Sequence, residues 1–148
     1  MTELGHVVLY VHSLERSVAF YRDLVGFRQV GRPDPSTMKA AIFSSGRTHH
    51  ELLLIEVGEE AASIPSGRRV GLYHIGLKIG ETDDELRVML DRLQEADARV
   101  VVAGDHGVTH SLYVLDPDGN EIELYVDVPG IDWNDPTAMM APTRPLNL

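Results

Sequence analysis

The chain holds 148 residues, 43% of them hydrophobic, with a net charge of −10 and no cysteine. That length suits one domain or two small halves sharing a core, and the missing cysteines exclude disulfides and thiol catalysis. The acidic balance argues against a phosphate-backbone partner. No apolar run reaches the roughly 20 residues of a membrane helix, and the start Met1-Thr2-Glu3-Leu4-Gly5-His6 lacks a signal-type pattern, so the expected location is the cytoplasm.

Taken in chain order, the first element is the strand-like run Gly5-His6-Val7-Val8-Leu9-Tyr10-Val11. Ser13 is placed to cap a helix over 14–25, where Leu14, Val18, Tyr21 and Val25 recur at helical spacing until Gly26 ends it. Strands are expected near 38–43 and 50–57. Residues 58–70 contain Gly58, Pro65, Ser66 and Gly67 and read as a surface linker. A second run, Tyr73-His74-Ile75-Gly76-Leu77-Lys78-Ile79, then repeats the opening. Thr82 and Glu85 have capping-box spacing, and Leu86, Met89, Leu90 and Leu93 give an apolar helix face through about Ala96. Strands follow near 99–103, 109–115 and 121–127, the last two joined by the turn Asp116-Pro117-Asp118-Gly119. Four of the eight prolines lie in the tail from Pro129, which reads as an extended arm and also holds Trp133.

The pattern is strand–helix–strand–strand–strand, used twice. One such unit cannot bury the inner face of its sheet alone. The expected fold is therefore α+β, with two paired βαβββ modules forming a curved mixed sheet around a metal-binding cavity. Residues 1–148 form one domain in this reading: module one over 4–57, the linker over 58–70, module two over 71–127 and the arm over 128–148.

Duplication gives three residues a joint meaning. His6 and His74 occupy the same place in the two copies, and Glu123 interrupts a strand otherwise suited to burial. A lone histidine at a strand start is usually solvated. Two at matched positions, with a strand carboxylate, point to a metal held by His6, His74 and Glu123. The frame maps Glu123-Leu124 onto Glu51-Leu52, or within one residue of it. Strand alternation then sends either His50 or Glu51 inward and leaves open which. His12 reads as loop structure.

The segments Gly5-His6-Val7, Ala19-Phe20-Tyr21-Arg22-Asp23-Leu24-Val25-Gly26-Phe27, Tyr73-His74-Ile75 and Asp116-Pro117-Asp118-Gly119-Asn120-Glu121-Ile122-Glu123-Leu124 resemble the vicinal oxygen chelate superfamily. That superfamily includes glyoxalase I, extradiol ring-cleaving dioxygenases and drug-resistance proteins. The likeness spans residues 4–127 and leans toward single-domain, catechol 2,3-dioxygenase-like members. It implies Fe²⁺ (with Mn²⁺, Ni²⁺ or Zn²⁺ as alternatives) on His6, His74 and Glu123, an aromatic diol and O₂ as substrates, and a homodimer. It further implies His50 as acid/base and Tyr113 as hydrogen-bond partner of the bound catecholate. A histidine of the 105–110 loop, His110 or His106, would be proton donor. Leu52, Leu54, Phe43 and Val8 would wall the ring.

Two other readings compete. A glyoxalase I-like enzyme would use Glu51 as a fourth ligand, but Arg47, Arg68, Arg69 and Arg99 form no recognisable grip for a glutathione carboxylate. A non-catalytic binder would want an aromatic-walled cleft, and the chain offers one tryptophan, five tyrosines and three phenylalanines.

Overall fold

The computed structural model describes residues 1–132 and 134–148, so Trp133 lies outside the described residues. Two compact units result, Met1–Ser66 and Gly67–Leu148, each built on its own mixed sheet. The α+β class and the mixed sheets are as expected from the sequence. Among the described residues no helix is long and apolar enough to cross a membrane.

The first unit contains β1 (Val7–Val11), α1 (Leu14–Val18), β2 (Gln29–Gly31), β3 (Ala40–Phe43) and β4 (Leu52–Glu56), in sheet order β1-β4-β3-β2. β1 runs parallel to β4, with Val7 opposite Leu52; the other pairs are antiparallel. Ser13 accepts from the Arg16 N–H and caps α1 as expected. The expected helix over 14–25 changes character after Val18. Residues Ala19–Leu24 form a π-helical turn, in which the Val25 N–H reaches the Phe20 carbonyl at 2.9 Å. The wider turn inserts one residue into the helical repeat. Consecutive Phe20 and Tyr21 are thereby both buried, and Tyr21 reaches Phe43. Gly26, at φ +89°, ends the turn.

Period-two alternation divides this sheet. Leu9, Val11, Leu52 and Leu54 are buried on the helix side, whereas Val8 and Tyr10 on the opposite face are exposed. The short edge strand β2 carries no apolar alternation and was not marked by the local pattern. Strand β4 begins at Leu52, not at residue 50. Residues 44–51 bend, although the Val7 N–H still donates to the Glu51 carbonyl.

The second unit contains β5 (His74–Gly80), α2 (Asp83–Glu95), β6 (Val100–Asp105), β7 (Thr109–Leu115), β8 (Glu121–Asp127) and β9 (Arg144–Pro145), in sheet order β5-β8-β7-β6-β9. The capping box forms: Thr82 Oγ1 accepts from the Glu85 N–H, and the Glu85 carboxylate accepts from the Thr82 N–H. Leu86, Met89 and Leu93 are its buried face. In the turn before β8, Asp116 accepts from the N–H groups of Asp118 and Asn120, and Gly119 takes φ +88°. The C-terminal arm lays β9 antiparallel on β6, with Gly104 opposite Pro145 and Asp105 opposite Arg144.

Candidate functional site

Strand register gathers the chemistry of the second unit on one sheet face. Tyr113 on β7 lies directly opposite Glu123 on β8, and β5 places Gly76 opposite Glu123 and His74 opposite Glu121. Glu123 Oε1 accepts from Ser111 Oγ at 2.7 Å and from the Tyr113 hydroxyl at 3.1 Å. Its other oxygen faces His74 Nε2 at 3.2 Å. The Tyr113 hydroxyl also meets His106 Nε2 at 2.8 Å. Burial, then the Glu123 charge and its hydrogen bond, push the Tyr113 phenol well above its ordinary range. Tyr113 therefore stays protonated at neutral pH and acts as a donor.

Two residues of this face offer donor atoms of the type a divalent cation takes. His74 Nε2 and Glu123 Oε2 converge, both suitable metal donors. On the far side of the same ring, His74 Nδ1 is buried without a partner, as is Glu121 Oε1, and the two stand 3.7 Å apart. A second carboxylate behind a histidine is the arrangement that orients a metal-binding imidazole. A Cβ at Gly76 would lie 3.6 Å from Glu123 Oε2 and 3.4 Å from the Tyr125 ring, so any longer side chain there would fill the space over the carboxylate. Among the described residues no cluster of three or more His, Asp or Glu is already arranged as a complete ligand set.

In the first unit, His6 precedes β1 and its ring lies 4.2 Å from that of His50, centroid to centroid; His49 lies 4.4 Å from His50 on another side. Burial, and then the neighbouring His6 and His49, hold His50 below the ordinary imidazole value. Glu51 turns elsewhere. Its carboxylate accepts from the Ser45 N–H and Oγ, each at 2.6 Å, and from Arg47 Nε at 2.9 Å. Arg47 in turn donates to the carbonyls of Leu4 and Gly5. Both residues precede β4, so strict alternation does not govern them.

The ladders also correct the duplicated frame. Val7 pairs with Leu52, and Ile75 pairs with Ile122. With His6 matched to His74, Glu123 corresponds to Leu53, and Glu51 corresponds to Glu121. The displacement is two residues from the position read in the sequence, because hairpin and bend lengths differ between the copies.

Other expected placements change as well. His110 does not join the Tyr113 face. It donates toward Asp83 Oδ1 at 2.7 Å, at the first turn of α2, because alternation along β7 sends 109, 111 and 113 to one face and 110 to the other. The histidine beside Tyr113 is His106, in the hairpin between β6 and β7. Leu52, Leu54 and Phe43 belong to the helix-side core and form no wall; Val8 is on the opposite, exposed face. His12 reaches the Ala61 carbonyl at 2.9 Å, a loop tie as expected. Sequence reading missed Ser111 and Glu121. The spacing Glu121-x-Glu123 on one strand face was the available signal for Glu121.

Comparison with known proteins sets this geometry in context. A family profile described as the glyoxalase/bleomycin resistance protein/dioxygenase superfamily matches residues 3–124. A catechol-2,3-dioxygenase of Bacillus subtilis (strain 168) is 36% identical over 132 residues, covering 89% of this chain and 44% of that protein. An iron-dependent extradiol dioxygenase of Rhodococcus jostii (strain RHA1) is 31% identical, covering 82% of this chain and 42% of its own length. The chain thus spans less than half the length of these two relatives. Among solved structures, a glyoxylase/bleomycin resistance protein/dioxygenase domain from Frankia sp. EAN1pec superposes with a TM-score of 0.69 at 21% identity, over 86% of this chain and 99% of that one.

Proposed function

Because the chain belongs to the glyoxalase/bleomycin resistance protein/dioxygenase superfamily, we propose that it is an extradiol ring-cleaving dioxygenase acting on a catechol-type substrate with O₂. The observation that carries this reading is the Tyr113 phenol set directly opposite Glu123, with His74 on the same carboxylate. Relatives named as a catechol-2,3-dioxygenase, a biphenyl-2,3-diol 1,2-dioxygenase and an iron-dependent extradiol dioxygenase, at 30–36% identity, support it. We assign His74 and Glu123 of the second unit as donors to a divalent cation, and the resemblance names His6 as the metal-donor candidate of the first unit. Fe²⁺ is the expected ion, as for the relative named iron-dependent, with Mn²⁺, Ni²⁺ and Zn²⁺ as alternatives. Such an ion, when bound, acidifies a coordinated diol and brings it together with O₂.

The protein's own groups have separate tasks. Ser111 and Tyr113 occupy Glu123 Oε1 and so fix the carboxylate's rotation, leaving Oε2 toward His74. Glu121 behind His74 Nδ1 favours the tautomer whose Nε2 carries the lone pair. Tyr113, a phenol whose one proton rests on Glu123 Oε1, would exchange that bond to donate to a substrate oxygen. Within the first unit, His50, held below its ordinary value and hence neutral at pH 7, has the protonation state of a general base. His106 replaces His110 as proton donor on the Tyr113 side. A homodimer and a cytoplasmic setting complete the reading.

The glyoxalase-like alternative needs a carboxylate at the position matching Glu123. That position is Leu53, and Glu51 is held by Ser45 and Arg47. Oxygen uptake by anaerobically Fe²⁺-loaded protein over a panel of substituted catechols, with a metal-free control, tests the proposal. Iron-dependent uptake with a yellow ring-opened product is expected. Absence of uptake across the panel, from protein shown to hold iron, would count against it.

A further inference from the structure

The C-terminal arm passes beside the Tyr113 cluster. Thr143 Oγ1 lies 3.0 Å from His106 Nδ1, His106 Nε2 lies 2.8 Å from the Tyr113 hydroxyl, and that hydroxyl donates to Glu123 Oε1 at 3.1 Å. We propose that Thr143 is a positioning residue, which fixes His106 as the Nε2–H tautomer and so aims its proton at Tyr113 and the reaction face.

Counting donors gives the direction of every bond. An ionised Glu123 carboxylate only accepts, so the single phenolic proton of Tyr113 goes to it. The phenol oxygen must then accept from His106, which puts the imidazole proton on Nε2. His106 Nδ1 is left as a bare acceptor, and among the described residues it is the Thr143 hydroxyl that stands there to donate to it. The chain of bonds runs Thr143 to His106 to Tyr113 to Glu123 with one consistent polarity.

Backbone features of the arm hold this arrangement independently of the hydroxyl. β9 pairs with Gly104 and Asp105, and the Leu146 N–H donates to the Ala103 carbonyl. A Cβ at Gly104 would lie 3.3 Å from both His106 Nε2 and Thr143 Cγ2, closer than most side chains tolerate. Gly107 takes φ +77°, and a Cβ there would lie 3.1 Å from the Ala141 Cβ. The β6–β7 hairpin is thus shaped to receive the arm, with the imidazole between them. An exposed threonine fixed against a histidine in this way controls which ring nitrogen is protonated, although its hydroxyl need never touch substrate.

The tautomer claim stands on the second unit alone; its consequence for turnover rests on the dioxygenase reading. Long-range ¹H–¹⁵N imidazole correlations on the metal-free full chain read the tautomer directly. Wild type and Thr143→Ser are expected to show His106 as Nε2–H, and Thr143→Val, equal in shape without the donor, to show a mixture with Nδ1–H. Nδ1–H in the wild type, or an unchanged Nε2–H population in Thr143→Val, would overturn the proposal. In the Fe²⁺-loaded chain, Thr143→Val is expected to lower kcat about fivefold, the scale of one hydrogen bond, with KM for catechol unchanged and Thr143→Ser near wild type. Equal kcat in wild type and Thr143→Val would remove the positioning role. An iron-loaded wild type with no oxygen uptake would sink the dioxygenase reading and leave the tautomer result to decide the Thr143 claim.

Discussion

Glu51→Ala separates a structural carboxylate from a metal ligand. Glu51 accepts three hydrogen bonds, from the Ser45 N–H, the Ser45 Oγ and Arg47 Nε, and its side chain is 18% exposed. Charge-assisted bonds contribute about 1.5–3 kcal/mol each when buried, but Arg47 is 49% exposed and the freed Ser45 donors return to water. The net loss is about 1.5 kcal/mol, or about 3–6 °C in Tm for a chain of this size. Burial pushes the Glu51 carboxyl up, yet the Ser45 and Arg47 bonds outweigh it and hold it below the ordinary 4.5. A depressed carboxyl contributes stability above its unfolded pKa and loses it as pH falls through the folded value. The destabilisation should therefore be full at pH 7 and shrink below about pH 4. Thermal melts at both pH values, with iron stoichiometry measured on the same samples, make the assay. Unchanged Tm together with lost iron would refute the reasoning and revive Glu51 as a ligand.

Further expectations concern single side chains. His50→Ala should keep iron and lose about 10²–10⁴-fold in kcat, the usual span for removing a general base; loss of iron instead would make His50 a ligand. His110→Ala should leave kcat within about twofold and cost about 1 kcal/mol in denaturant melts, because it unties β7 from Asp83 at the start of α2. A large kcat effect without destabilisation would return His110 to the reaction. Gly80→Ala puts a Cβ 2.7 Å from the Glu85 carboxyl, which is engaged with the N–H groups of Glu81 and Thr82. It should cost about 1–2 kcal/mol, and much less when Glu85 is already alanine; equal costs in both backgrounds would show that the clash is not with Glu85.

Duplication, capping and turn chemistry were legible in the chain because they depend on neighbours a few residues away. Ser13 and the Thr82–Glu85 box predicted helix starts that the structure contains, and the Asp116–Gly119 turn falls where its residues demand one. Short β2 was hidden, since an edge strand of Gln29–Gly31 has too few apolar positions to show a period. The π-helical turn was hidden for a different reason. Its gain lies in burying Phe20 and Tyr21 together against Phe43, which is distant in sequence.

Sequence by itself marked the candidates for chemistry: His6 and His74 by their matched places in two copies, Glu123 by interrupting a strand suited to burial, and Tyr113 by the family resemblance. Only tertiary structure decided which of the remaining candidates share a face. Alternation sent His110 to Asp83, the hairpin turned His106 to Tyr113, and the bend before β4 gave Glu51 to Arg47 while His50 came to lie against His6. A strand register is set by hydrogen bonds between segments far apart in the chain, and a slip of one residue reverses every side chain. Local pattern names the residues; pairing across the sheet decides where each of them points.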